Sequence, residues 1–462
     1  MSWHNYLGWA LGAVLFLASG GFILTALFER EWRAATVAAI LSLPACGGWF
    51  SILVWLPAYR PQIVLGTLVL SVISITLLLL PLGKQEGLRI GREQERVDER
   101  DTIFARARYR PGTAEYQDYY SRHPELKEAD DRFRALPELG VPGGQYYDQL
   151  ITPLSNISFE LNQEIGHLVD GEVSPKRVKV TPAEMAGRIK GLARYLGAEL
   201  VGITELDQAY VYSHVGRGLG RYGEEIELSH RYAIVIGVEM DWQMVHAAPA
   251  APTLVESSFK YVEAAKIAIV LAKYIRALGY PARAHIDANY RVMAVPLAWK
   301  AGLGELGRMG YLITPQFGPR VRLSVVTTDL PLKTDKPITF GVQDLCRRCK
   351  KCATNCPSGA IPQGDKTAVR GVEKWELDRE RCYTLWRALG TDCALCMRVC
   401  PYSHPNSFVH NLVRLAIKRS IVARQLAVWL DDLFYGRRPR PGPPPRWAQA
   451  PRRDSQAPGR AA

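Results

Sequence analysis

Charge is scarce at the start of this 462-residue chain, and cysteine is scarce over most of it. Only five of the first 83 residues are Asp, Glu, Lys or Arg, and of nine cysteines only Cys46 lies outside residues 346–400. So long an apolar beginning, broken into three runs, excludes a cleaved signal peptide, which has one short apolar region. Eight crowded cysteines in a large chain are also unlike the disulfide frameworks of small secreted domains. Metal ligation is the stronger interpretation, and Cys46 is expected to be a small buried apolar residue.

Three apolar stretches open the chain, and each is close to the roughly 20 residues that a helix needs to cross a bilayer. They are Tyr6–Phe28, Thr36–Ala58 and Ile63–Leu82. A hairpin of buried core helices is the alternative, but the lack of charge on any face gives it little support. No twin-arginine pair precedes the first run. We expect residues 1–83 to form a three-helix membrane anchor in contact with lipid.

The Lys and Arg residues around these runs predict the orientation of the anchor. The first connection carries Arg30 and Arg33, whereas the second carries only Arg60. The segment after the third run carries four basic residues, namely Lys84, Arg89, Arg92 and Arg96. If all three helices span, the first connection and that segment share one side, which the positive-inside rule makes cytoplasmic. The sequence therefore predicts a multi-pass protein of the inner (cytoplasmic) membrane whose soluble part faces the cytoplasm.

The remaining chain has the composition of a soluble protein and divides into four parts. Residues 84–180 are predicted to be a charged, irregular wrapping segment, and residues 181–335 a mixed α/β catalytic core with the buried strand "YAIVIGVEM". Residues 336–410 hold the cysteines, and residues 411–462 are expected to form a C-terminal helix and a disordered, basic, proline-rich tail. The net charge of +13 is concentrated beside the anchor and in this tail, so we expect no nucleic-acid partner.

The cysteines form two runs with the spacing of two-cluster bacterial ferredoxins. The run "CRRCKKCATNCP" contains Cys346, Cys349, Cys352 and Cys356 followed by Pro357. The second run, "CALCMRVCP", is one cysteine short, and Cys382 is the natural substitute. In this arrangement three cysteines of a run hold one cluster and the fourth holds the other. We predict two [4Fe–4S] clusters, one on Cys346, Cys349, Cys352 and Cys400 and one on Cys382, Cys393, Cys396 and Cys356; two tetrahedral zinc sites are the alternative.

Several motifs resemble those of corrinoid-dependent reductive dehalogenases. They are "VDERDTIFARARYRPGT", "GAELVGIT", "IRALGYPARAH" and "AGLGELGRMGYLITPQFGP", and with the cysteine runs they cover residues 97–435. The same core is more distantly similar to epoxyqueuosine reductase, a tRNA-modifying enzyme. The resemblance implies an α+β protein with a nitroreductase-like corrinoid-binding core followed by a two-cluster ferredoxin-like region. The chain departs from the best-known respiratory members, which carry a cleaved twin-arginine signal and lie outside the membrane.

The resemblance also implies a set of site residues. The proton donor of the family is a Tyr assisted by a cation, for which Tyr261 and Arg308 are the matching positions. The cofactor would be a cobalamin or related corrinoid in the base-off state, because the sequence lacks a D-x-H-x-x-G element and its only "HID" string, His285–Asp287, has the reverse order. The positions expected at the corrinoid or substrate are Asp287, Asn289, Gly302, Gly304, Gly307, Phe317 and Gly318. The three glycines 302, 304 and 307 serve equally well as simple turn residues.

Two enzymes and one non-enzyme are compatible with these features. The leading hypothesis is a membrane-anchored oxidoreductase that removes halogen from a small organohalide, with electrons supplied by a ferredoxin, a flavoprotein or a quinol. The runner-up is an epoxyqueuosine-reductase-like enzyme that reduces an epoxide or another non-halogenated substrate, in which case Asp287 would be catalytic. The third is a non-catalytic iron–sulfur electron-transfer protein. Tyr210 and Tyr212 either line a pocket or pack a strand, and His246 is expected to be a surface loop residue.

Overall fold

The structure is a computed structural model that describes residues 3–83, 85–91, 95–287 and 289–449. Its helices are α1 (Trp3–Phe28), α2 (Trp32–Trp55), α3 (Arg60–Leu79), α4 (Ile103–Arg106), α5 (Ala114–Arg122), α6 (Pro124–Arg134), α7 (Thr152–Glu164), α8 (Pro182–Tyr195), α9 (Trp242–His246), α10 (Ala251–Ala277), α11 (Ala294–Lys300), α12 (Val342–Cys349), α13 (Lys351–Thr354), α14 (Arg379–Leu389), α15 (Leu395–Arg398), α16 (Phe408–Arg419) and α17 (Ile421–Tyr435). Its strands are β1 (Leu200–Glu205), β2 (Tyr232–Glu239), β3 (Ala282–His285), β4 (Glu305–Leu306), β5 (Leu312–Ile313), β6 (Val321–Thr328), β7 (Thr367–Val369) and β8 (Val372–Lys374). Lys84, Arg92 and residues 450–462 of the expected tail lie outside the described residues.

The first three helices are long and apolar enough to cross a membrane, as the sequence predicts. Their mean hydropathies are 2.2 for α1, 1.9 for α2 and 2.3 for Pro57–Leu79. Most of their side chains point away from the protein, and only Gly8, Gly12 and Ala26 are buried in α1. A Cβ atom at Gly8 would lie 2.8 Å from the Leu53 side chain, so glycine allows close contact between α1 and α2. Helices that contact each other through small residues and expose large apolar ones are suited to lipid.

The soluble part lies at one end of this helical bundle. The connection between α1 and α2 contacts it through Glu29, whose carboxylate is 3.0 Å from His410 Nε2. The chain leaving α3 does so as well, because the Ile421 amide donates to the Leu82 carbonyl at 3.0 Å. At the opposite end Arg60, in the second connection, donates to Asn5 at 3.2 Å. The first connection and the segment after α3 therefore share a side.

The centre of the soluble part is a four-stranded antiparallel sheet in the order β1-β2-β6-β3. Helices α8 and α10 cover one face, with Ile189, Ile234 and Ala268 in their shared core. The other face is covered by α11 and the chain around β5, with Val235, Leu297 and Leu312 in a second core. Because both faces are covered, β2 is an almost continuous buried apolar run. This confirms the predicted mixture of helix and sheet.

Residues 97–180 wrap the sheet domain with short helices and irregular chain, held by buried ion pairs. Glu99 is fully buried, and its Oε2 accepts from the backbone amides of Gly216 at 2.9 Å and Arg217 at 3.1 Å. Arg106 joins the segment to the cysteine region, because it lies 2.5 Å from Asp130 and 2.7 Å from Glu380. The segment therefore fixes the sheet domain relative to the cysteine region.

The C-terminal segment differs from the prediction in two ways. It contains two helices, α16 and α17, instead of one, because Ser420 ends the first and caps the second through its hydroxyl. Residues 436–449 are packed instead of disordered: the Gly442 amide donates to the His246 carbonyl at 3.1 Å, and Ala448 is 2% exposed. The physical reason is that extended chain offers free carbonyls, one of which, at Pro439, accepts from Arg398 at 2.9 Å.

We expect Glu99→Ala to destabilise the protein by about 3–5 kcal/mol, because removing one partner leaves buried amides and the Arg291 guanidinium, 3.6 Å away, without their carboxylate. The measurement is the thermal unfolding midpoint of the purified protein in detergent. Glu128→Ala is the matched control, since the Glu128 side chain is 85% exposed and should change the midpoint little. Equal midpoints for the two variants would contradict the assigned role of Glu99.

Candidate functional site

The eight cysteines predicted as ligands gather into two adjoining groups of four. Thiol group I consists of Cys346, Cys349, Cys352 and Cys400. Beyond the effect of burial, the first three thiols are close enough to Cys400 to raise its pKa. Thiol group II consists of Cys356, Cys382, Cys393 and Cys396, all of which line one cavity together with Tyr311 and Trp386. Cys352 also lies in the electrostatic surroundings of Cys396, so the groups are neighbours. The two groups follow the predicted ligand sets, with Cys382 as the substitute ligand, and these sets stay predictions.

Short helices and left-handed residues turn these thiols toward one another. Lys350, between Cys349 and Cys352, has φ of 52°, and Cys393 and Ala394 have φ of 57° and 48°. These are non-glycine residues in a backbone region that costs of order 1 kcal/mol or more each, and such strain concentrates at functional sites. An uninterrupted helix would place the thiols of a C-x2-C pair along one helix face, so the left-handed residues are needed to turn them toward one another.

Burial favours the protonated form of these thiols, which binds metal poorly, unless a positively charged group is bound beside them. It raises the pKa of Cys346 and Cys393 to about 11, and that of Cys349 and Cys382 to about 12. A coordinated metal reverses this effect, because it stabilises the thiolate. Among the described residues no group of three or more His, Cys, Asp or Glu side chains is arranged for a single ion.

Arg308 lies beside thiol group I and not beside Tyr261, which corrects their predicted pairing. Its guanidinium is fully buried and donates to the carbonyls of Cys346 at 3.1 Å, Pro362 at 2.7 Å and Gly364 at 2.8 Å. It also lies 4.5 Å from the ring centroid of Trp375. The side chain is directed into the cysteine region because three carbonyls there need a donor. Arg308 is therefore placed to organise thiol group I.

The cation beside Tyr261 is Arg322, on β6. Its guanidinium lies 5.1 Å from the centroid of the Tyr261 ring. Arg322 is held by Asp392, 3.2 Å away, and by the Ser257 hydroxyl, which accepts from Nε at 3.1 Å. Burial raises the pKa of Tyr261, and the charge of Arg322 opposes that rise. The pair thus forms a phenol and a fixed cation in one enclosed place.

Tyr261 and Arg322 belong to an interior cleft that reaches thiol group II. Six side chains lie deep inside the body and yet keep a partly exposed surface, so they face internal space: Tyr212, Arg217, Tyr261, Tyr290, Tyr311 and Arg322. Burial and the neighbouring Cys396 raise the pKa of Tyr311 well above its ordinary value, and Arg322 opposes them. Tyr311 thus connects the cleft to the cysteines. Asp392 Oδ1, at the same place, is buried without a hydrogen-bond partner among the described residues.

A corrinoid fits this cleft better than it fits the predicted glycines. An enclosed space with phenols, guanidinium groups and an unpaired carboxylate oxygen is suited to a large polar cofactor. By contrast, a Cβ atom at Gly302 would lie 2.5 Å from the Lys336 carbonyl, and one at Gly304 would lie 2.2 Å from the Ile313 carbonyl. Gly307 is similarly blocked by the Ile313 side chain at 2.8 Å. These glycines allow the chain to pack against itself, which is the turn interpretation of the motif.

The remaining predicted residues divide between the cleft and the scaffold. Asp287 interacts electrostatically with Tyr261 and Arg217, so it belongs to the cleft. Asn289 is buried; it accepts from Arg283 at 3.0 Å and donates to the Gly166 carbonyl at 3.1 Å, which makes it a scaffold residue.

Phe317 and Gly318 also belong to the scaffold. Phe317 packs in the second core. Gly318 has φ of 57°, and a Cβ atom there would lie 2.4 Å from the Tyr402 carbonyl. The glycine therefore lets the sheet domain approach the chain that follows Cys400.

The structure also shows where the histidines and tyrosines discussed from the sequence lie. His285 is fully buried, and its ring nitrogens are engaged by Thr327 Oγ1 at 2.9 Å and the Arg291 amide at 3.1 Å. Tyr212 lines the cleft, whereas Tyr210 packs in the second core. His246 is buried instead of lying in a surface loop, because Trp242 and Glu31 cover it.

Sequence reasoning missed Arg322, although one signal was present. It is a charged residue inside "VRLSVVTT", an otherwise buried strand, and an isolated charge in such a strand needs a partner or a function. Arg217, Tyr290 and Asp392 gave no comparable signal, because they are far apart in the chain and meet only after folding.

We expect Arg308→Gln and Arg322→Gln to have different effects on the iron content of the protein. The first should lower the iron content of the purified protein, because a shorter neutral side chain cannot serve the three carbonyls around Cys346. The second should leave the iron content near that of the unaltered chain, since Arg322 contacts Asp392 and Tyr261. Iron analysis and the charge-transfer absorption of the clusters provide the measurement. An iron loss confined to Arg322→Gln would contradict this assignment.

Comparison with known proteins finds similarity in the cysteine region and beyond it. The 4Fe-4S dicluster domain family matches residues 345–404. The chain is 33% identical over 290 residues to tetrachloroethene reductive dehalogenase of Sulfurospirillum multivorans, covering 55% of this chain and 58% of that protein. It is 33% identical over 296 residues to the enzyme of the same name from Dehalobacter restrictus, covering 53% of each. Epoxyqueuosine reductase of Escherichia coli is more distant, at 27% over 226 residues, or 43% of this chain and 56% of that protein.

A solved structure shares the fold. The catabolic reductive dehalogenase NpRdhA superposes with a TM-score of 0.64 at 29% identity, covering 77% of this chain and 48% of that one. The chain thus spans somewhat more than half the length of the curated relatives named here. Over the region that it shares with these proteins, the chain is similar to reductive dehalogenases.

Proposed function

We propose that the protein is a membrane-anchored reductive dehalogenase that converts a carbon–halogen bond of a small organohalide into a carbon–hydrogen bond. The reaction consumes two electrons and one proton and releases a halide. The observation that carries the proposal is the Tyr261–Arg322 pair, 5.1 Å apart, in a cleft that reaches thiol group II through Tyr311. This geometry offers an electron path and a proton donor at the two sides of one enclosed space.

The cofactors would be held by two sets of residues. Two [4Fe–4S] clusters on thiol groups I and II would, when bound, relay electrons singly, and a corrinoid in the cleft would supply a strongly reducing cobalt. The side chains that would hold the corrinoid are those of the cleft, including Tyr212, Arg217 and Tyr290. His285 would not serve as a cobalt ligand, because both of its ring nitrogens already have protein partners.

Tyr261 would be the proton donor. Burial raises the pKa of the phenol above its ordinary value near 10, so Tyr261 is protonated at neutral pH. Arg322 opposes that rise because its charge stabilises the phenolate formed after proton transfer. Activity should therefore persist through neutral pH and fall only when alkaline conditions deprotonate Tyr261.

Arg322 would act as a fixed cation. Although burial opposes its charge, Tyr261 and Asp392 hold the pKa of Arg322 above its ordinary value, so it stays charged. The hydrogen bond to Ser257 and the ion pair with Asp392 hold it in place before the reaction. Such a cation also offsets the charge of a departing halide.

One observation supports the second candidate, reduction of an epoxide or another non-halogenated substrate. Asp287 lies in the cleft near Tyr261, where a carboxylic acid would be an alternative proton donor. The three apolar helices favour the dehalogenase, since a soluble relative acting on tRNA needs no anchor. A non-catalytic electron-transfer protein would not need the phenol and guanidinium pair.

The membrane arrangement follows from the charges near the anchor. Arg30 and Arg33 lie in the connection on the side of the soluble part. The positive-inside rule supports a multi-pass anchor in the inner membrane with the soluble part in the cytoplasm. The substrate and the electron donor, whether ferredoxin, flavoprotein or quinol, would then be met on that side. One solved relative was obtained in complex with 3-bromo-4-hydroxybenzoic acid, which supports a halogenated aromatic as a first assay substrate.

We expect Tyr261→Phe to lower the rate of halide release at least 100-fold, because the variant removes the acidic proton and keeps the ring. The measurement is bromide release from 3-bromo-4-hydroxybenzoate by the holoprotein, with reduced viologen as donor. Tyr195→Phe is the matched control, since Tyr195 is 86% exposed. Full activity of Tyr261→Phe with unchanged iron and cobalt would remove Tyr261 from the mechanism.

We expect Cys382→Ser to reduce the iron content from about eight per chain toward about four, because thiol group II would lose one of its four ligands. Cys46→Ser is the control, since Cys46 is buried in α2 and far from both groups in sequence. Iron analysis and the electron paramagnetic resonance (EPR) spectrum of the reduced protein separate the two clusters. Unchanged iron in Cys382→Ser would show that another residue completes the group.

A further inference from the structure

Titratable and aromatic side chains fill the junction between the anchor and thiol group I, and the proposed dehalogenation does not use them. We call them the junction patch; it consists of Glu29, Glu31, Trp242, His246, His404, His410, Asp431 and Tyr435. Burying polar and ionisable groups costs free energy unless they are paired or hydrogen-bonded. The atoms of the patch that lack a partner therefore point to a function.

His404 presents an unpaired base. Its Nε2 lies 2.9 Å from Asp431 Oδ1. Although burial opposes ionisation, the hydrogen bond from His404 and the charge of Lys351 hold the pKa of Asp431 below its ordinary value. The ionised Asp431 carboxylate can only accept a hydrogen bond, so the hydrogen of the His404 ring is on Nε2. Burial lowers the pKa of His404 to about 4, which keeps the imidazole neutral. The lone pair on Nδ1 is buried and has no hydrogen-bond partner among the described residues.

Trp242 presents an unpaired donor close by. Its Nε1 is likewise buried without a partner in the part of the chain that the structure describes. The Trp242 ring lies 5.8 Å from the His404 ring, and the Tyr435 ring lies 4.1 Å from His404 on another side. His410 stacks on His404 at 4.6 Å. An aromatic ligand that carries a hydroxyl or carbonyl group would satisfy both orphaned atoms.

The patch also lies between the bilayer-spanning helices and thiol group I. Glu31, at the start of α2, is 3.5 Å from His246, and Arg33 donates to the Leu433 carbonyl of α17 at 3.2 Å. Helix α17 packs against α2, α3 and α12, and α12 carries Cys346 and Cys349. Beside the anchor, Phe408 of α16 and Trp429 of α17 are 81% and 61% exposed, which extends the apolar surface toward the soluble part. The patch and thiol group I therefore both lie on the side of the soluble part that adjoins the apolar helices.

We propose that the junction patch binds and oxidises a membrane quinol, whose electrons enter the protein at thiol group I. This inference rests on the proposed function for the fate of the electrons. Oxidation breaks the two O–H bonds of the quinol and yields a quinone, two protons and two electrons. His404 Nδ1 accepts a hydrogen bond from a quinol hydroxyl, the Glu31 carboxylate takes up and releases the two protons one after the other, and the electrons would pass singly from thiol group I to thiol group II. One quinol supplies the two electrons that one carbon–halogen bond consumes.

The proton acceptor, Glu31, has suitable properties. Burial, with a contribution from Glu29, raises the pKa of Glu31 to about 7. Near neutral pH this carboxylate therefore takes up and releases a proton readily. A soluble protein donor would release no protons here and would need neither the anchor nor the buried imidazoles.

The test uses the full-length holoprotein in lipid nanodiscs with decylubiquinol as the probe. Two readouts are taken anaerobically: reduction of the clusters by EPR, and halide release driven by decylubiquinol or by reduced viologen. His404→Gln retains an amide that can donate to Asp431 but removes the basic nitrogen, and Trp242→Phe retains the ring and removes the donor. His167→Gln is the control, since His167 is exposed on the soluble surface.

We expect decylubiquinol to reduce the clusters of the unaltered chain, and His404→Gln to lower the ratio of quinol-driven to viologen-driven rate at least tenfold. Trp242→Phe should raise the apparent KM for decylubiquinol, and His167→Gln should change neither quantity. The inference fails if viologen reduces the clusters and decylubiquinol does not, or if His404→Gln lowers both rates equally. If decylubiquinol reduces the clusters but no donor drives halide release, the quinol site stands and the proposed dehalogenation fails.

Discussion

The burial of eight thiols where the anchor, the sheet domain and the C-terminal helices meet is the constraint on which the rest of the structure depends. Burial alone raises the pKa of these thiols, so they become ligands only with bound metal. The surrounding chain contributes buried cations that suit such a site, among them Arg308, Lys351 and Arg398. Each of them is fixed by carbonyls or carboxylates from another segment. The cysteine region is therefore the centre to which the other segments are tied.

Two arginines that look alike in the sequence have separate tasks because of this arrangement. Arg308 satisfies carbonyls around thiol group I, whereas Arg322 stands over Tyr261 in the cleft. The first is a structural support for the electron path, and the second is placed at the proposed site of proton transfer. Tyr311 links the cysteine region to the cleft, because it lies near both Cys396 and Arg322. One arginine thus supplies positive charge beside thiol group I, and the other supplies it at the proposed site of proton transfer.

The described structure also gives the two thiol groups different neighbours. Thiol group I faces α17 and, through it, the apolar helices, whereas thiol group II faces the cleft. Under the proposed function, electrons would pass from the side of the apolar helices toward the cleft. The wrapping segment keeps that geometry rigid, because Arg106 ties it to Glu380 of the cysteine region while Glu99 ties it to the sheet domain.

The sequence by itself determined the features that depend on local spacing and composition. Apolar length predicted three helices, and the C-x2-C-x2-C-x3-C-P cadence with Cys382 predicted which thiols would gather, because the ligand spacing is a local property. The tertiary structure decided the partner of Tyr261, since Arg308 lies within the motif along the chain, whereas it is Arg322, which follows the motif, that lies beside the ring after folding. It also decided that the glycines of "AGLGELG" pack on protein, that Asn289 supports the scaffold and that residues 436–449 are ordered. The physical reason is that these outcomes depend on which distant carbonyls, carboxylates and rings a side chain meets, and such contacts exist only after the segments have packed together.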